Sequence, residues 1–313
     1  HYPLRRQRQM CIRDRTTTDL TLNSTTITGT AADINTAYTS NAAGTIHGLG
    51  NEAVTITDTS INASALINLD AHTTGVVSAA AVTTITGTFA EINSLYALGA
   101  NGTITGLGNE AITISGILTV AQANTLAAQT TGVVTATISE GDMATLAGLN
   151  ETGNAYSITI TDASVAASAL NTLNSKTTTD LTLNSTTITG TASDLITVYA
   201  AIGTIDGLGN EAVTITDTSI NASILITLDA FTSGIIDASS ITTLTGSASD
   251  QATVRSSSGI TGLPGGNALI RNTSFYTFVE GPNWEQAEAN ANSLGGNLMT
   301  INKKNLTPIA LVS

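Results

Sequence analysis

Three short glycine-rich segments are the first candidates for chemistry in this sequence. GLGNEA begins at Gly48, Gly106 and Gly207 and matches the G-x-G-x-x-A pattern of dinucleotide-binding turns. Such a site needs a strand before the glycines and a helix directly after them, so that the pyrophosphate meets the helix N-terminus. Here a strand-like run, AVTIT or AITIS, follows instead. The segments are therefore predicted to be turns in which Gly48 and Gly50 adopt positive φ.

The acidic side chains supply carboxylates, but not at the spacing of a calcium site. The sequence contains neither a D-x-[DN]-x-[DN]-G loop nor the glycine–aspartate nonapeptide of calcium-binding β-rolls. Solvated surface is the preferred interpretation of these acids, and weak calcium binding by the repeats is the alternative. No metal site and no cofactor is predicted within this sequence.

Histidines are too isolated to indicate catalysis. His1 lies in an N-terminal segment of unusual composition, and the two others vary between equivalent repeat positions, where His47 is replaced by Thr105 or Asp206 and His72 by Gln129 or Phe231. Such variation is typical of a surface. No nucleophile, base and orienting group can be assembled, so no catalytic residue is assigned and the chain is predicted not to be an enzyme.

The N-terminal 15 residues differ from all that follow. They hold five of the ten Lys and Arg residues and the only cysteine, Cys11. No apolar region follows them, so they do not read as a signal peptide. Arg5 to Asp14, RRQRQMCIRD, resembles the translation of a transposase-type sequencing adapter. Residues 1–15 are therefore expected to be adapter-derived and without ordered structure, the alternative being a genuine basic tail that binds polyanions.

Charge then excludes several partners. Without residues 1–15, five basic residues remain against 22 acidic ones, a formal charge of −17. From Thr16 to Ser257 the only cations are Lys176 and Arg255. Such a surface cannot neutralise phosphates, which argues against nucleic acid and against anionic membranes. No apolar run approaches the roughly 20 residues of a spanning helix, so no membrane insertion is expected.

Internal repeats dominate residues 16–263. TTTDLTLNSTTITGTA occurs at 16–31 and again at 177–192, and GLGNEAVTITDTSINAS occurs at 48–64 and 207–223. Blocks begin at Thr16, Thr73, Thr130, Thr177 and Thr232, and each divides into two halves, which gives an elementary unit of about 27 residues. The oligomeric state is left open.

Each unit combines a strand pattern with a helix pattern. Alternating apolar residues, as at Val54 and Ile56, predict a half-buried strand. A following stripe at i, i+4 and i+8, such as Ile61, Ala65 and Leu69, predicts a short helix. Helix starts are indicated by four hydroxyl–acid pairs with capping-box spacing: Thr30 with Asp33, Thr88 with Glu91, Thr191 with Asp194, and Ser247 with Asp250.

A strand and a helix of about ten residues cannot bury an apolar face alone. Stacked neighbours can, so the predicted fold is an α/β repeat solenoid of strand plus short helix per unit, over residues 16–263. The unit length lies in the 20 to 29 residue range of leucine-rich-type repeats, although their leucine and asparagine signature is absent. A row of small separate β-rich domains is the alternative.

Composition changes again at Leu263-Pro264-Gly265-Gly266. The following segment, SFYTFVEGPNWEQAEANANSLGGNLMTIN, is rich in aromatic residues. Tyr276 and Phe278 alternate as in a strand, and a helix face with a glycine C-cap is indicated by Trp284, Ala287, Ala291, Leu294, Gly295 and Gly296. A second strand is predicted through Leu298 and Ile301.

These residues resemble the opening of a C-type lectin-like domain, a Tyr-rich strand followed by W-x-x-A-x-x-x-A, L-G-G-x-L and a strand ending in I-N. The resemblance covers Ser274 to Asn302, about the first quarter of such a domain, and residues 264–313 are expected to be a truncated α+β lectin-like segment. After Asn302 the sequence departs from the family pattern. The resemblance implies glycan binding by a complete domain, with calcium possible there, through positions that this sequence does not contain.

The repeats resemble those of very large bacterial cell-surface proteins, in which such arrays act as stalks. Together the two resemblances imply a structural stalk of a large surface or secreted protein that presents a carbohydrate-binding module. Adhesion or contact with glycans and cell surfaces is the expected role, and the expected location is extracellular or at the cell surface. The alternative is that the repeat surface itself binds glycan or calcium ions.

Overall fold

In a computed structural model, the chain is described over residues 19–264, in four strands between residues 269 and 312, and at Ala289. Side chains are described for residues 19–264 and for Ala289. The described helices are α1 (Ala31–Ala42), α2 (Ala63–Asp70), α3 (Phe89–Asn101), α4 (Val120–Ala127), α5 (Met143–Leu146), α6 (Ala167–Asn174), α7 (Ala192–Ala200), α8 (Ala222–Asp229) and α9 (Ala248–Ser256). The predicted α/β class is confirmed, since mostly parallel strands in several sheets accompany these nine described helices.

Strands precede and follow every helix. In chain order they are β1 (Leu20–Thr21), β2 (Thr26–Gly29), β3 (Ile46–His47), β4 (Ala53–Ile56), β5 (Ser60–Asn62), β6 (Val77–Ser78), β7 (Thr84–Gly87), β8 (Ile104–Thr105), β9 (Ala111–Leu118), β10 (Val134–Ile138), β11 (Ala155–Ile160), β12 (Ser164–Ala166), β13 (Leu181–Leu183), β14 (Thr187–Gly190), β15 (Ile205–Asp206), β16 (Ala212–Ile215), β17 (Ser219–Asn221), β18 (Ile236–Asp237), β19 (Thr243–Thr245) and β20 (Ile260–Thr261).

The chain divides into two compact units. The first comprises residues up to Thr159 together with Leu173–Leu181. Within it β1 pairs with β3, and two longer runs of parallel strands follow the orders β2-β4-β6-β8 and β5-β7-β9-β10-β11. Thr26 pairs with Ala53 and Thr84 with Ala111, so each strand lies beside the equivalent strand of the next repeat.

The second unit comprises Ile160–Thr172 and the residues from Thr182 onward. Its parallel strands follow the order β12-β14-β16-β18-β20, and β17 pairs with β19. The register again joins equivalent positions, because Thr187 pairs with Ala212 and Ser219 with Thr243. The repeat length read from the sequence thus corresponds to the number of residues that separate one strand from the strand it pairs with.

Alternation along the strands builds the core of each unit. The predicted strand at Val54 and Ile56 is confirmed, and both side chains are buried while Thr55 between them is exposed. The helices add one buried face each, as Leu66 and Leu69 do in α2. Burial of each such aliphatic side chain stabilises the fold by about 1.5–3 kcal/mol relative to leaving it exposed.

The predicted helix stripe at Ile61, Ala65 and Leu69 is wrong in phase. Ile61 lies in β5, and the buried face of α2 is formed by Ala63, Leu66 and Leu69. The reason is that Asn62 caps the helix, its Oδ1 accepting a hydrogen bond from the Ser64 amide at 2.9 Å, so helical spacing starts only after it. The equivalent helices α6 and α8 bury Ala167, Leu170, Leu173 and Ala222, Leu225, Leu228 in the same way.

Beyond residue 264 the described strands are antiparallel. They are β21 (Leu269–Arg271), β22 (Ser274–Phe278), β23 (Leu298–Thr300) and β24 (Ala310–Val312), in the order β21-β22-β24-β23. Tyr276 and Phe278 lie in β22, as the alternation predicted, and Leu298 lies in β23. The other predicted lectin-like core positions, Trp284, Ala287, Ala291, Leu294, Gly295 and Gly296, lie outside the described residues.

Candidate functional site

The three GLGNEA segments form turns, as predicted. Gly48 has φ +92° and Gly50 φ +125°, and the equivalent glycines of the other two copies also have positive φ. Gly48 is required for a second reason, because a Cβ there would lie 2.1 Å from the Leu22 carbonyl oxygen. The turn thus lets the backbone pass close to the preceding repeat.

Each turn carries a buried glutamate, which sequence reasoning did not single out. Glu52 and Glu110 are 0% exposed and Glu211 is 1% exposed, so the expectation of solvated acids fails at these positions. Each carboxylate accepts a hydrogen bond from the amide of the glycine two residues earlier, at 2.8 Å from Gly50 and 3.0 Å from Gly209. Burying a carboxylate is costly unless such donors surround it.

A tyrosine from the preceding helix completes each site. The hydroxyls of Tyr38, Tyr96 and Tyr199 donate to Glu52, Glu110 and Glu211 respectively, at 2.9 Å for Tyr96 and 3.2 Å for Tyr199. All three rings are buried. The carboxylate is therefore held by a hydroxyl and an amide, in what we call the Tyr–Glu turn.

Burial and hydrogen bonding shift the pKa values of the three tyrosines and of Glu52. Burial, followed by the neighbouring glutamate, raises the pKa of Tyr38, Tyr96 and Tyr199 well above its ordinary value. Burial alone would raise the pKa of Glu52, but hydrogen bonds from Tyr38 and from the Gly50 amide outweigh it and lower that pKa. At this first turn the pair is a neutral phenol that donates to a carboxylate and so holds the turn together.

A threonine and a second glycine fasten the turn to the next repeat. Thr73 is buried, donates to the Glu52 carbonyl oxygen at 2.7 Å and accepts from the Gly75 amide at 3.0 Å. Thr130 and Thr232 repeat both bonds. A Cβ on Gly75 would lie 2.2 Å from the Glu52 carbonyl oxygen. The glycine two residues after Thr73 is therefore what allows the two backbone segments to approach so closely.

The residue that packs on the tyrosine differs among the copies. His72 stacks on Tyr38 with ring centroids 5.2 Å apart, and Phe231 stacks on Tyr199 at 5.5 Å. Their variation was predicted to mark a surface, and both side chains are exposed, while each ring also lies against a buried tyrosine. The remaining copy, that of Tyr96, has Gln129 at this position. Its Nε2 donates to Asn93 Oδ1 at 3.2 Å, and its Oε1 is buried without a hydrogen-bond partner in the described part of the chain.

Two grooves adjoin the Tyr–Glu turn of Tyr96 and Glu110. One, about 370 Å³ in volume, passes Tyr96, Gly99, Leu107 and Gln129. The other, about 530 Å³, is lined by backbone and small polar groups together with Gln129, Thr131, Glu151, Thr152 and Asn154. Hydroxyl, amide and carboxylate groups make the second groove suited to a hydrophilic ligand.

The predicted capping residues all begin helices. Thr30, Thr88, Thr191 and Ser247 are the N-cap residues of α1, α3, α7 and α9, and each side chain accepts from the amide three residues later. The reciprocal bond of a capping box forms at Thr88 with Glu91. Its two hydrogen bonds from Thr88 hold the pKa of Glu91 below its ordinary value.

Aspartate behaves differently at these positions because its side chain is shorter than that of glutamate. The carboxylates of Asp33 and Asp194 accept from the Thr30 and Thr191 hydroxyls, at 2.8 and 2.9 Å. A different amide, that of the first helical residue, is bonded by an acid of the following repeat, as with Asp58 Oδ2 and the Ala31 amide at 2.7 Å. Asp250 contributes its amide to Ser247.

The remaining candidates are modest. His47 Nε2 lies 3.3 Å from Asp19 Oδ2, and both side chains are largely exposed. Among residues with described placement, no group of three or more His, Cys, Asp or Glu side chains could hold a metal ion. Over the same residues, no helix is long and apolar enough to cross a membrane.

Comparison with protein-family models, curated proteins and solved structures found no match to this chain.

Proposed function

We propose that this chain is a structural stalk of a large surface or secreted protein, built as an α/β solenoid and presenting a C-terminal C-type lectin-like module for adhesion or surface contact. It is not an enzyme in this proposal. Its partners are glycans or cell surfaces, bound through a complete lectin-like domain in which calcium can take part. The location that follows is extracellular or at the cell surface.

One observation carries the stalk proposal: the same links recur from repeat to repeat. Asp58 bonds the Ala31 amide at 2.7 Å, and in the second unit Asp217 bonds the Ala192 amide at the same distance. Glu140 occupies the equivalent place on the Val120 amide at 3.2 Å. Repeated links between neighbours, rather than one converging site, are what hold together an array in which each repeat contacts only the next.

Deletion of a whole repeat block tests the solenoid. The segment TTGVV occurs at 73–77 and 130–134, so removing residues 73–129 joins His72 to an identical sequence. We expect this variant to unfold cooperatively with a smaller denaturant m-value, because less surface is buried. Removing residues 84–95, half a repeat, puts strands out of register and should abolish cooperative unfolding. Equal behaviour of the two variants contradicts the solenoid.

The competing function is glycan binding by the repeats, and the polar groove at Glu151 and Thr131 is the observation that favours it. A glycan array probed with the full chain separates the two. The stalk proposal expects no saturable binding, since the family's ligand positions lie beyond the part of the domain that the resemblance covers. If binding is saturable and the Glu151→Ala substitution removes it, the recognition site lies on the repeats.

A further inference from the structure

One asparagine of the chain is followed directly by glycine. Asn101 is the last residue of α3 and Gly102 is its C-cap, and this is the only Asn-Gly step among the 313 residues. At the equivalent places after α1 and α7 the chain has Ala43 and Ile202. A chemistry that needs asparagine followed by glycine is therefore confined to one repeat.

The chemistry open to such a pair is attack by a backbone nitrogen on the preceding side chain. The Gly102 nitrogen forms a bond to Asn101 Cγ, the bond from Cγ to Nδ2 breaks, and Nδ2 leaves as ammonia with the proton that the Gly102 nitrogen loses. Water then opens the cyclic imide at either carbonyl, which gives aspartate or isoaspartate. Glycine favours the first step because it has no Cβ beside the attacking nitrogen.

The surroundings of Asn101 leave room for this ring to close. Asn101, Gly102 and Thr103 are exposed, and the Asn101 side chain makes no hydrogen bond within the described part of the chain. Gly102 has φ +81°, and a Cβ placed on it would meet no heavy atom within 4 Å beyond its chain neighbours. Neighbouring groups therefore neither hold the Asn101 side chain nor block the attack.

A hydrogen bond at the helix end opposes the attack. The Gly102 amide donates to the Gly99 carbonyl oxygen at 3.1 Å, and this bond must open before the nitrogen can turn toward Asn101 Cγ. The bond is among the last of α3, and helix ends open at a small cost in free energy. Opening of the helix end therefore gates the reaction without preventing it in the folded chain.

We propose that Asn101-Gly102 is a self-modifying site, which converts with time to aspartate or isoaspartate and thereby loosens the contact between two repeats. The new carboxylate lies at the C-terminus of α3, where the helix dipole disfavours negative charge. Two residues further on, Thr103 Oγ1 donates to Asp70 Oδ2 at 3.2 Å, which links this end of α3 to the last residue of α2. The added charge enters beside that link.

Peptide mapping after incubation tests the modification. The full chain is kept folded at mildly alkaline pH for increasing times, then unfolded and cut after glutamate. The piece from residues 92 to 110 carries Asn93, Asn101 and Asn109, followed by Ser, Gly and Glu. Tandem mass spectrometry should show Asn101 converting at least about tenfold faster than the exposed Asn109. Equal rates at these two positions, or no conversion at Asn101, overturn the proposal.

Two variants connect the conversion with loosening. Asn101→Asp carries the product from the start, so its urea midpoint should lie below that of the unaltered chain, and added salt should narrow the difference. Asn101→Ser removes the amide without adding charge and is the matched control. Its midpoint should stay constant during incubation, whereas that of the unaltered chain falls. Equal midpoints for Asn101→Asp and Asn101→Ser, or a parallel fall in Asn101→Ser, overturn the proposed loosening.

Discussion

The Tyr–Glu turns around Tyr38 and Tyr96 share their buried centre and differ in what lies on the ring. Both join a phenol, a carboxylate and a glycine amide, and both are fastened by a buried threonine. On Tyr38 the outer position is the ring of His72, and at Tyr96 it is Gln129, beside two grooves. The repeat therefore holds its buried polar centre constant and varies the residue that covers it.

The largest effect is expected where the backbone approach itself is blocked. Gly132→Ala places a Cβ 2.2 Å from the Glu110 carbonyl oxygen, so the two repeats must move apart. We expect a loss of about 4 kcal/mol or more in the free energy of unfolding, measured by urea denaturation. Gly29→Ala is the matched control, because its nearest contact would be 3.6 Å away. Similar losses for both variants would show that the close approach is unimportant.

Removal of the carboxylate comes next. Glu110→Ala leaves the Tyr96 hydroxyl and the Gly108 amide buried without an acceptor, and we expect a loss of about 3 kcal/mol. Glu91 at the start of α3 is the comparison, since its loss removes only one arm of a capping box and should destabilise the chain clearly less. A cost at Glu110 no larger than that at Glu91 would mean that the buried pair contributes little.

Alkaline pH should test all Tyr–Glu turns together. The folded pKa values of Tyr38, Tyr96 and Tyr199 are raised, so the stability they contribute is complete below about pH 10, the ordinary tyrosine value, and is lost as pH rises above it. By pH 11 the loss is about 1.4 kcal/mol for each tyrosine. Ultraviolet absorbance should show these phenols ionising with unfolding, and Tyr96→Phe should reduce the pH dependence. Ionisation of Tyr38, Tyr96 and Tyr199 near pH 10 in the folded chain would contradict the buried pairs.

The α/β class and the helix starts could be predicted from the sequence, whereas the buried glutamates and their tyrosine partners could not. Identical segments and two-residue alternation gave the strands, and hydroxyl–acid spacing gave the helix starts at Thr30 and Thr88. The Tyr–Glu turn was missed because a glutamate beside two glycines looks solvated. A signal existed: Tyr38 and Tyr96 each precede their glutamate by 14 residues. Spacing across a turn is visible only when repeats are aligned on their polar residues.

The smallest expected effect concerns the residue on the ring. Gln129→Phe should place an aromatic ring on Tyr96, as Phe231 lies on Tyr199, and should remove the unpartnered Oε1. We expect a gain of about 1 kcal/mol in the free energy of unfolding, of which ring stacking supplies about 0.5–1.5 kcal/mol before the lost Asn93 contact is subtracted.

A double-mutant cycle shows whether that gain comes from stacking on the ring. Gln129→Phe is measured again in a Tyr96→Leu background, where no ring remains to stack on and the gain should fall to near zero. Gln129→Leu is the control for apolar burial alone and should stabilise less than phenylalanine does. If phenylalanine and leucine are equivalent at position 129, the rings of His72 and Phe231 act as apolar covers, and the difference between the turns is one of shape rather than of aromatic contact.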